Sequence, residues 1–337
     1  MWYNKRNKSR MVVKMASEQQ PVAVERLTKL NEYGSDDLFM CCASFEERCL
    51  SSVINMSPNY RTNFSVIFVI EEALYKKQVD TNLYTMKGAL GTKSSRGIFV
   101  ISCERDSPLS GIGQLKQIWE QCRPRDPESP FITIDISGFT KIYLLQLLHH
   151  LIVDEKVGLP RMLHTTQAYL PTKLTKGVSQ ITTVPNFYGS ISLDRENVLV
   201  MFLGFEADRS LAVWKHFNPA KTIALITDPP RQDNQSYLEY ARKNNEQLLS
   251  QPSVELRGVP ADNPYAVKKT LEGIYQELKG SYNIIVGPFG TKPQVVGLFL
   301  FWLEYPKIQI VYSHPTKYTR SYLFRKPETT FLLPLNP

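Results

Sequence analysis

The sequence predicts an α/β protein made of two tandem units with mainly parallel sheets, related by a pseudo-two-fold internal duplication. Short apolar segments of strand length alternate with helix-like segments along the chain, an order typical of parallel sheets covered by helices on both faces. The same order of segments begins again near residue 197. Two short motifs also recur at the same strand-to-helix junctions of the two halves, and similarity at such a long period is a good guide to architecture.

The first half contains four short segments rich in β-branched and aromatic residues, which predict strands. These strands span residues 37–43, 63–70, 97–102 and 130–136, and residues 161–170 could close the sheet. Apolar residues at helical spacing predict helices at residues 44–57, 108–122 and 141–153. The segment before the third strand, residues 71–96, is interpreted as a long polar connection rich in lysine.

The second half repeats this order. Its predicted strands span residues 198–203, 221–227, 254–259 and 282–286, with residues 307–312 as the closing strand. Its predicted helices span residues 204–217, 263–279 and 293–304. The alternation of both halves is the pattern of a doubly wound sheet, and each half is therefore expected to be a Rossmann-like unit.

Size and composition favour a cytoplasmic protein of two domains. A chain of 337 residues with 42% hydrophobic residues can fill two cores. We expect a flexible basic arm at residues 1–30, without the apolar core of a secretion signal, followed by units at residues 31–190 and 191–337. No run approaches the roughly 20 apolar residues that cross a membrane. Five cysteines, all between residues 41 and 122 and without Cys-x-x-Cys spacing, indicate reduced thiols.

The net charge of +8 favours an acidic or phosphate-bearing partner. Charge alone does not distinguish nucleic acid, nucleotide and acidic protein, and a basic surface without a partner is the plain alternative. No metal is expected, because the five histidines lack ligand spacing with carboxylates. No cofactor is expected either, because the chain lacks a Gly-x-x-x-x-Gly-Lys-Ser/Thr phosphate loop, and Gly111-Ile112-Gly113 is a weak dinucleotide signal.

One recurrent motif is a small-residue turn that ends in Thr-Lys and leads from a strand into an apolar helix. Its members are Ser137, Gly138, Thr140 and Lys141 in the first half, and Gly287, Gly290, Thr291 and Lys292 in the second. Such a turn directs unpaired N–H groups and the positive end of a helix dipole at the sheet edge, which suits a phosphate. The alternative is that the hydroxyl caps the helix and the lysine is solvated.

The other recurrent motif lies after the first strand of each half. Ser44-Phe45-Glu46-Glu47-Arg48 in the first half aligns with Gly204-Phe205-Glu206-Ala207-Asp208-Arg209 in the second, which is one residue longer. The arginines could bind phosphate and the glutamates could accept hydrogen bonds from ribose or base edges. Equally, a glutamate in a first helical turn and a buried phenylalanine are ordinary structural features.

A third candidate region is the C-terminal stretch 312–326, which interleaves aromatic and basic residues. Its candidates for nucleic-acid binding are Lys317, Tyr318, Arg320, Tyr322, Arg325 and Lys326. Aromatic faces beside cations suit single-stranded nucleic acid. A half-buried strand with a basic outer face has the same composition, and both interpretations stay open.

Together, the two junction motifs resemble the CARF-type Rossmann-like sensors of prokaryotic defence systems, and two such units in one chain resemble the SAVED arrangement. The resemblance implies a cleft between the units that binds a cyclic oligonucleotide. The implied contacts are Ser44 and Glu46 with Ser137, Gly138, Thr140 and Lys141, and Gly204 and Glu206 with Gly287, Gly290, Thr291 and Lys292. Phe139 replaces a glycine of the family's turn, so the second half is expected to hold the ligand more closely.

Three functions follow from these observations. The first is a binding protein of an antiviral defence system that recognises a nucleotide or cyclic oligonucleotide and signals to a separate effector protein or a larger complex. The second is a metal-independent phosphodiesterase that cleaves such a ligand in the same cleft. The third is a structural, nucleic-acid-binding subunit that uses the basic arm and the C-terminal stretch.

Overall fold

Two mainly parallel β-sheets form the framework of the protein in the computed structural model, which describes residues 25–26, 35–124, 131–167, 173, 175–228, 235–319 and 327–335. In the first unit, the parallel strands are β2 (Ser35–Ala43), β3 (Arg61–Ile70), β4 (Ser94–Cys103), β5 (Ile132–Asp135) and β6 (Arg161–Gln167), in the order β6-β5-β2-β3-β4. In the second, they are β8 (Glu196–Leu203), β9 (Lys221–Asp228), β10 (Val254–Pro260), β11 (Tyr282–Pro288) and β12 (Gln309–Tyr318), in the order β12-β11-β8-β9-β10. The two orders are equivalent, which confirms the predicted α/β duplication.

Helices connect these strands. They are α1 (Ser51–Ile54), α2 (Lys76–Gly91), α3 (Pro108–Cys122), α4 (Lys141–His149), α5 (Ala207–Phe217), α6 (Gln235–Asn244), α7 (Glu246–Leu249), α8 (Pro264–Leu278) and α9 (Lys292–Glu304). Helices α4 and α9, which follow the two Thr-Lys turns, are apolar on nearly all sides and pack against each other. A helix that is hydrophobic all round requires a fully buried position. These two helices therefore occupy the centre of the molecule.

The two units exchange their outer strands. Strand β7 (Thr175–Thr183) follows β6 in the chain but pairs antiparallel with β12 of the second sheet. Conversely, β13 (Pro327–Leu332) follows β12 but pairs antiparallel with β6 of the first sheet, and β1 (Glu25–Arg26) pairs with β13. The largest hydrophobic cluster contains residues of both halves. Each sheet is consequently completed by a strand from the other half of the chain.

Several local predictions were wrong. The helix predicted at residues 44–57 is a 3-10 turn, Glu47–Leu50, followed by the single-turn α1. The segment interpreted as a polar connection, 71–96, contains α2, whose buried residues Val79, Met86 and Leu90 follow helical spacing. Strands β7 and β13 and helices α6 and α7 were not predicted. Strand β7 is polar and forms by pairing with β12 of the other half, whereas α6 does carry an apolar face, formed by Tyr237, Leu238 and Ala241.

The domain bounds at residues 31–190 and 191–337 stay a prediction, with the strand exchange crossing between them. Of the predicted basic arm, residues 1–24 and 27–30 lie outside the described residues. All five cysteines are buried thiols without a disulfide partner. Within the described ranges, no helix has the length and apolar character needed to span a membrane.

Candidate anion-binding site between the two units

The two Thr-Lys turns meet at the junction of the units, and each lysine crosses to the opposite turn. Lys141 Nζ donates a hydrogen bond to the carbonyl of Phe289 at 2.8 Å. Lys292 Nζ donates to the carbonyl of Ser137. The pairing of β5 with β2 and of β11 with β8 has the same register in both units, which places Ser137 and Phe289 at equivalent positions. The two bonds are thus a reciprocal pair related by the pseudo-two-fold axis.

Both ammonium groups are withdrawn from water and incompletely paired. Lys292 has 8% of its surface exposed, and Lys141 is half-buried. Burial, followed by the nearby Arg209, lowers the pKa of Lys141 to about 7. Burial and the nearby Arg48 lower the pKa of Lys292 to about 8. An ammonium group has three N–H donors, and in the described part of the chain neither lysine forms a salt bridge with a carboxylate. Both retain donors and charge for an anion.

The charged residues of the first-strand motif surround these lysines in a crossed arrangement. Arg209 and Glu206 of the second unit lie within electrostatic reach of Lys141 of the first unit. Arg48 and Glu46 of the first unit lie within reach of Lys292 of the second. The two recurrent motifs, which are far apart in each half of the sequence, therefore form one charged cluster with contributions from both units.

The two equivalent arginines have different surroundings. Arg209 is 4% exposed, its Nε donates to the carbonyl of Ser313 at 3.0 Å, and its guanidinium lies over the rings of Tyr312 and Phe289. Arg48 pairs with Glu46 at 2.8 Å, and its buried Nε has no hydrogen-bond partner among the described residues. Arg209 is held by the chain itself, whereas Arg48 has an unused donor.

A buried carboxylate, which the sequence did not single out as a site residue, holds the first turn in place. Asp135 accepts hydrogen bonds from the hydroxyl of Ser52 and from the backbone N–H of Ser137 at 2.8 Å. The hydroxyl of Ser137 in turn accepts from the N–H of Thr165 at 2.8 Å. Burial raises the pKa of Asp135 above its ordinary value, although these hydrogen bonds and Lys292 oppose the change. Ser137 therefore has two roles. Its side chain fixes the turn, and its carbonyl accepts the hydrogen bond from Lys292.

The threonine hydroxyls cap their helices, as the structural alternative predicts. Thr140 Oγ1 accepts from the N–H of Tyr143 at 3.5 Å. Thr291 and Gln294 form a reciprocal capping box, with Thr291 Oγ1 accepting at 3.3 Å and the Gln294 side chain accepting from Thr291 N–H at 2.8 Å. The Thr291 hydroxyl also donates to the carbonyl of Ala261. These contacts leave the lysines, rather than the hydroxyls, as the ligand-ready groups of the turns.

The small residues of the motifs serve contacts within the chain. A Cβ on Gly138 would overlap the carbonyl oxygen of Cys42, and a Cβ on Gly204 would lie 2.5 Å from the carbonyl oxygen of Phe289. Gly287 and Gly290 are similarly crowded, by the side chains of Phe289 and Gln294. The hydroxyl of Ser44 accepts from the N–H of Glu46 at 3.3 Å. Phe139 is buried with its ring 5.2 Å from that of Phe68.

His164 belongs to the cluster although no motif indicated it. It lies on β6, is 7% exposed, and its Nδ1 is buried without a hydrogen-bond partner in the described ranges. Burial, with the nearby Arg48 and Lys292, lowers its pKa well below the ordinary value, so the imidazole is neutral at neutral pH. The sequence could have indicated His164 only through its position on the predicted closing strand of the first sheet, residues 161–170.

The C-terminal stretch divides between described and undescribed residues. Arg320, Tyr322, Arg325 and Lys326 lie outside the described residues. Lys317 is exposed at the end of β12, whereas Tyr318 is half-buried with its ring 5.6 Å from Phe45. The half-buried strand interpretation accounts for Tyr318, and nucleic-acid binding by this stretch stays a prediction.

Two solved structures are similar to the chain. One is Can2 from Sulfobacillus thermosulfidooxidans in complex with cyclic tetra-adenylate, with 16% identity over 34% of this chain and 31% of that chain and a TM-score of 0.28. The other is a type III CRISPR defence DNA nuclease activated by cyclic oligoadenylate, with 10% identity over 80% of this chain and 64% of that chain and a TM-score of 0.47. No family model and no curated protein matches the chain. The chain spans less than two thirds of the length of either solved structure.

Proposed function

We propose that this chain is a cytoplasmic sensor of a prokaryotic antiviral defence system, which binds a nucleotide or cyclic oligonucleotide by its phosphates between the two units. One observation carries the proposal: Lys141 and Lys292 are reciprocal buried ammonium groups, each held across the junction by a single backbone carbonyl. Two equivalent positive charges at one junction fit a ligand with several phosphates.

The physical basis is the cost of burying charge. A buried ammonium group that lacks an anion loses hydration without an equal return, and this loss is reflected in the lowered pKa values of both lysines. A phosphate supplies negative charge and several acceptor oxygens, and charge-assisted hydrogen bonds of this kind are stronger than bonds to neutral carbonyls. Phosphate binding would therefore recover part of the burial cost.

The same contacts suggest how binding could be signalled. The two lysines connect the turns of the opposite units. A phosphate that attracts either ammonium group competes with the carbonyl it now contacts, which changes the relation between the turns at the start of α4 and α9. A ligand that binds one arrangement better shifts the population toward it, and a separate effector could respond to that shift.

The test is a binding assay with cyclic tri-, tetra- and hexa-adenylate, followed by thermal unfolding and calorimetry. At least one ligand should stabilise the wild-type protein, and the double variant Lys141→Met/Lys292→Met should abolish this effect while retaining its circular dichroism spectrum. Methionine keeps the length of the buried side chain without the charge. The matched control replaces one exposed lysine in each half, Lys87→Met/Lys215→Met, and should bind as the wild type does. Unchanged affinity in the first double variant would refute the site assignment.

A second candidate function, phosphodiester cleavage, is favoured by His164. Its neutral ring with an unpartnered Nδ1 lies near Arg48 and Lys292, an arrangement that suits a general base beside charge-stabilising cations. In a ribonucleotide ring, the base would take the proton of a 2′-hydroxyl as its oxygen attacks the adjacent phosphorus. The 5′-oxygen then leaves and takes up a proton, and a 2′,3′-cyclic phosphate forms.

Mass spectrometry of the ligand after incubation separates the two functions. A sensor returns the intact ring, whereas a phosphodiesterase releases linear products that end in 2′,3′-cyclic phosphate. In the second case, His164→Ala should lose cleavage even at a ligand concentration that saturates the variant. Cleavage that persists at the wild-type rate in this variant would exclude His164 as the base.

A further inference from the structure

We infer that the two halves of the site have unequal roles, with Arg48, His164 and Lys292 forming the phosphate subsite while Arg209 ties α5 to β12. This inference rests on the proposed phosphate-binding function and assigns its principal contacts to one side of the junction. The reasons lie in the residues that surround the two equivalent arginines.

Arg209 is immobilised by three residues that the second half supplies. Phe289 and Tyr312 place their rings 5.4 and 4.8 Å from its guanidinium carbon, and Ser313 accepts from it with both its carbonyl and its hydroxyl oxygen. Cation–π contacts in a dry environment and a buried carbonyl acceptor together fix a guanidinium group. Moving Arg209 toward a ligand would expose both rings and leave a buried carbonyl without its donor.

In the described residues of the first half, Arg48 has none of these three contacts. The register of β6 beside β5 matches the register of β12 beside β11, so His164 and Thr165 stand where Tyr312 and Ser313 stand in the second half. Ser137 stands where Phe289 does, and its hydroxyl is already bonded to the N–H of Thr165. Neither equivalent position carries a phenyl or phenol ring to hold Arg48, because Ser137 has no ring and the imidazole of His164 is itself a hydrogen-bonding group.

Arg48 is consequently available to bind a phosphate. Its one ion pair is with Glu46, two residues away in the same turn, and its Nε lacks a partner among the described residues. The equivalent residues Glu206 and Arg209 are separated by one more residue, because α5 begins where the first half has a 3-10 turn. A phosphate needs to compete with a single short-range carboxylate to engage Arg48, and its oxygens can accept from Arg48 and Lys292 at the same time.

Three groups with unused hydrogen-bonding capacity meet on this side. The turn that carries Arg48 packs against β6, and Ser137 joins Lys292 to the same strand, since its carbonyl accepts from Lys292 and its hydroxyl accepts from the N–H of Thr165, next to His164. Arg48 offers Nε, Lys292 offers the N–H groups that the carbonyl of Ser137 does not use, and His164 offers Nδ1 in its protonated tautomer. Phosphate oxygens accept from all three. The glycine count favours closer binding by the second half, whereas the unused donors favour the first half, and the experiment below decides between the two.

The test compares Arg48→Gln with Arg209→Gln, using cyclic tetra-adenylate and the other two cyclic oligoadenylates as probes. Arg48→Gln should weaken binding by about tenfold or more, as expected for a lost charge-assisted hydrogen bond, and should lower the melting temperature less than Arg209→Gln does. Arg48→Lys should restore part of the affinity. Arg209→Gln should lower the melting temperature by several degrees and weaken binding less than Arg48→Gln does. Arg123→Gln, at an exposed ion pair on the surface, is the matched control.

The outcomes separate this inference from the function on which it rests. If the wild type binds none of the probes, the proposed function fails. If the wild type binds and Arg48→Gln binds equally well, the function stands and the unequal roles are refuted. If Arg209→Gln does not fold, the variants Arg209→Lys and His164→Gln replace it. The inference then requires that His164→Gln weakens ligand binding. It also requires that Arg209→Lys retains more affinity for the ligand than Arg48→Gln does.

Discussion

Lys141 and Lys292 combine two properties that a solvent-exposed lysine does not have, a fixed position and a lowered pKa. Burial is the main cause in both, and neighbouring cations contribute. Because the pKa values are about 7 and about 8, the charge of the site varies in the physiological pH range. A bound phosphate stabilises the ammonium form and raises both pKa values again.

Binding should therefore be coupled to proton uptake. At pH 8, where Lys141 is largely neutral and Lys292 is half-protonated in the free protein, a phosphate ligand should bind with net uptake of protons. Near pH 6 both lysines are already charged and the uptake should vanish, so affinity should fall as the pH rises from about 6.5 to 9. Calorimetry in buffers of different ionisation enthalpy measures the uptake directly. Affinity that is constant over this range would contradict the coupling.

At the scale of the elements, both turns depend on close backbone approach. Gly138 lies against the backbone of β2 at Cys42, where a methyl group would overlap the carbonyl oxygen. By contrast, a Cβ on Gly88, within α2, would contact nothing within 4 Å. The two glycines thus provide a matched pair of substitutions with opposite expected effects.

Gly138→Ala should destabilise the protein by about 1–3 kcal/mol, typical of overpacking against a rigid neighbour, and should weaken ligand binding because the carbonyl that holds Lys292 belongs to the same turn. Gly88→Ala should stabilise the protein by about 0.5–1 kcal/mol, since alanine is the better helix former. Chemical denaturation measures both changes. If Gly138→Ala left the free energy of unfolding unchanged, the turn would have to be able to move away from β2.

The sequence predicted the elements whose pattern is local. Pro108–Cys122 was predicted to the residue, and the Thr-Lys turns were placed correctly at the starts of α4 and α9. Helix α2 also carried a readable signal, since Val79, Leu83, Met86 and Leu90 recur at helical spacing within a polar segment. The polar strand β7 carried none, because β12 of the other half supplies its hydrogen-bond ladder.

The site was predictable in part for the same reason. Strand order indicated which turns reach a sheet edge, and Lys141 and Lys292 do lie on those turns, while their role in binding stays a prediction. It did not reveal that each lysine bonds to the opposite turn, nor that Tyr312 and Phe289 hold one arginine and not the other. These contacts depend on how two units face each other, which no spacing within one unit encodes.

At the scale of the whole molecule, the exchanged strands and the shared core make the two units interdependent. The main hydrophobic cluster includes Phe68 of the first sheet and Phe202 of the second. Unfolding either unit removes a strand from the other sheet and uncovers one face of α4 or α9. The protein should therefore unfold as one cooperative unit in spite of its two sheets.

Phe68→Ala and Phe202→Ala test this cooperativity from the two sides. Each should destabilise the protein by about 3–5 kcal/mol, the cost of a large cavity in a core, and each should shift the same single transition. Differential scanning calorimetry and near-ultraviolet circular dichroism measure the transition independently. Two separate transitions in either variant would show that the units fold independently.

The reciprocal strands have a consequence for the covalent chain itself. The connection between β7 and β8 runs through exposed residues, among them Leu193, which is fully exposed. A protease that cut there would leave an N-terminal fragment whose last strand lies in the sheet of its counterpart, and a C-terminal fragment whose last strand lies in the sheet of the first. The nicked protein should remain one particle, because each fragment supplies a strand to the sheet of the other and both strands would have to unpair before the fragments separate.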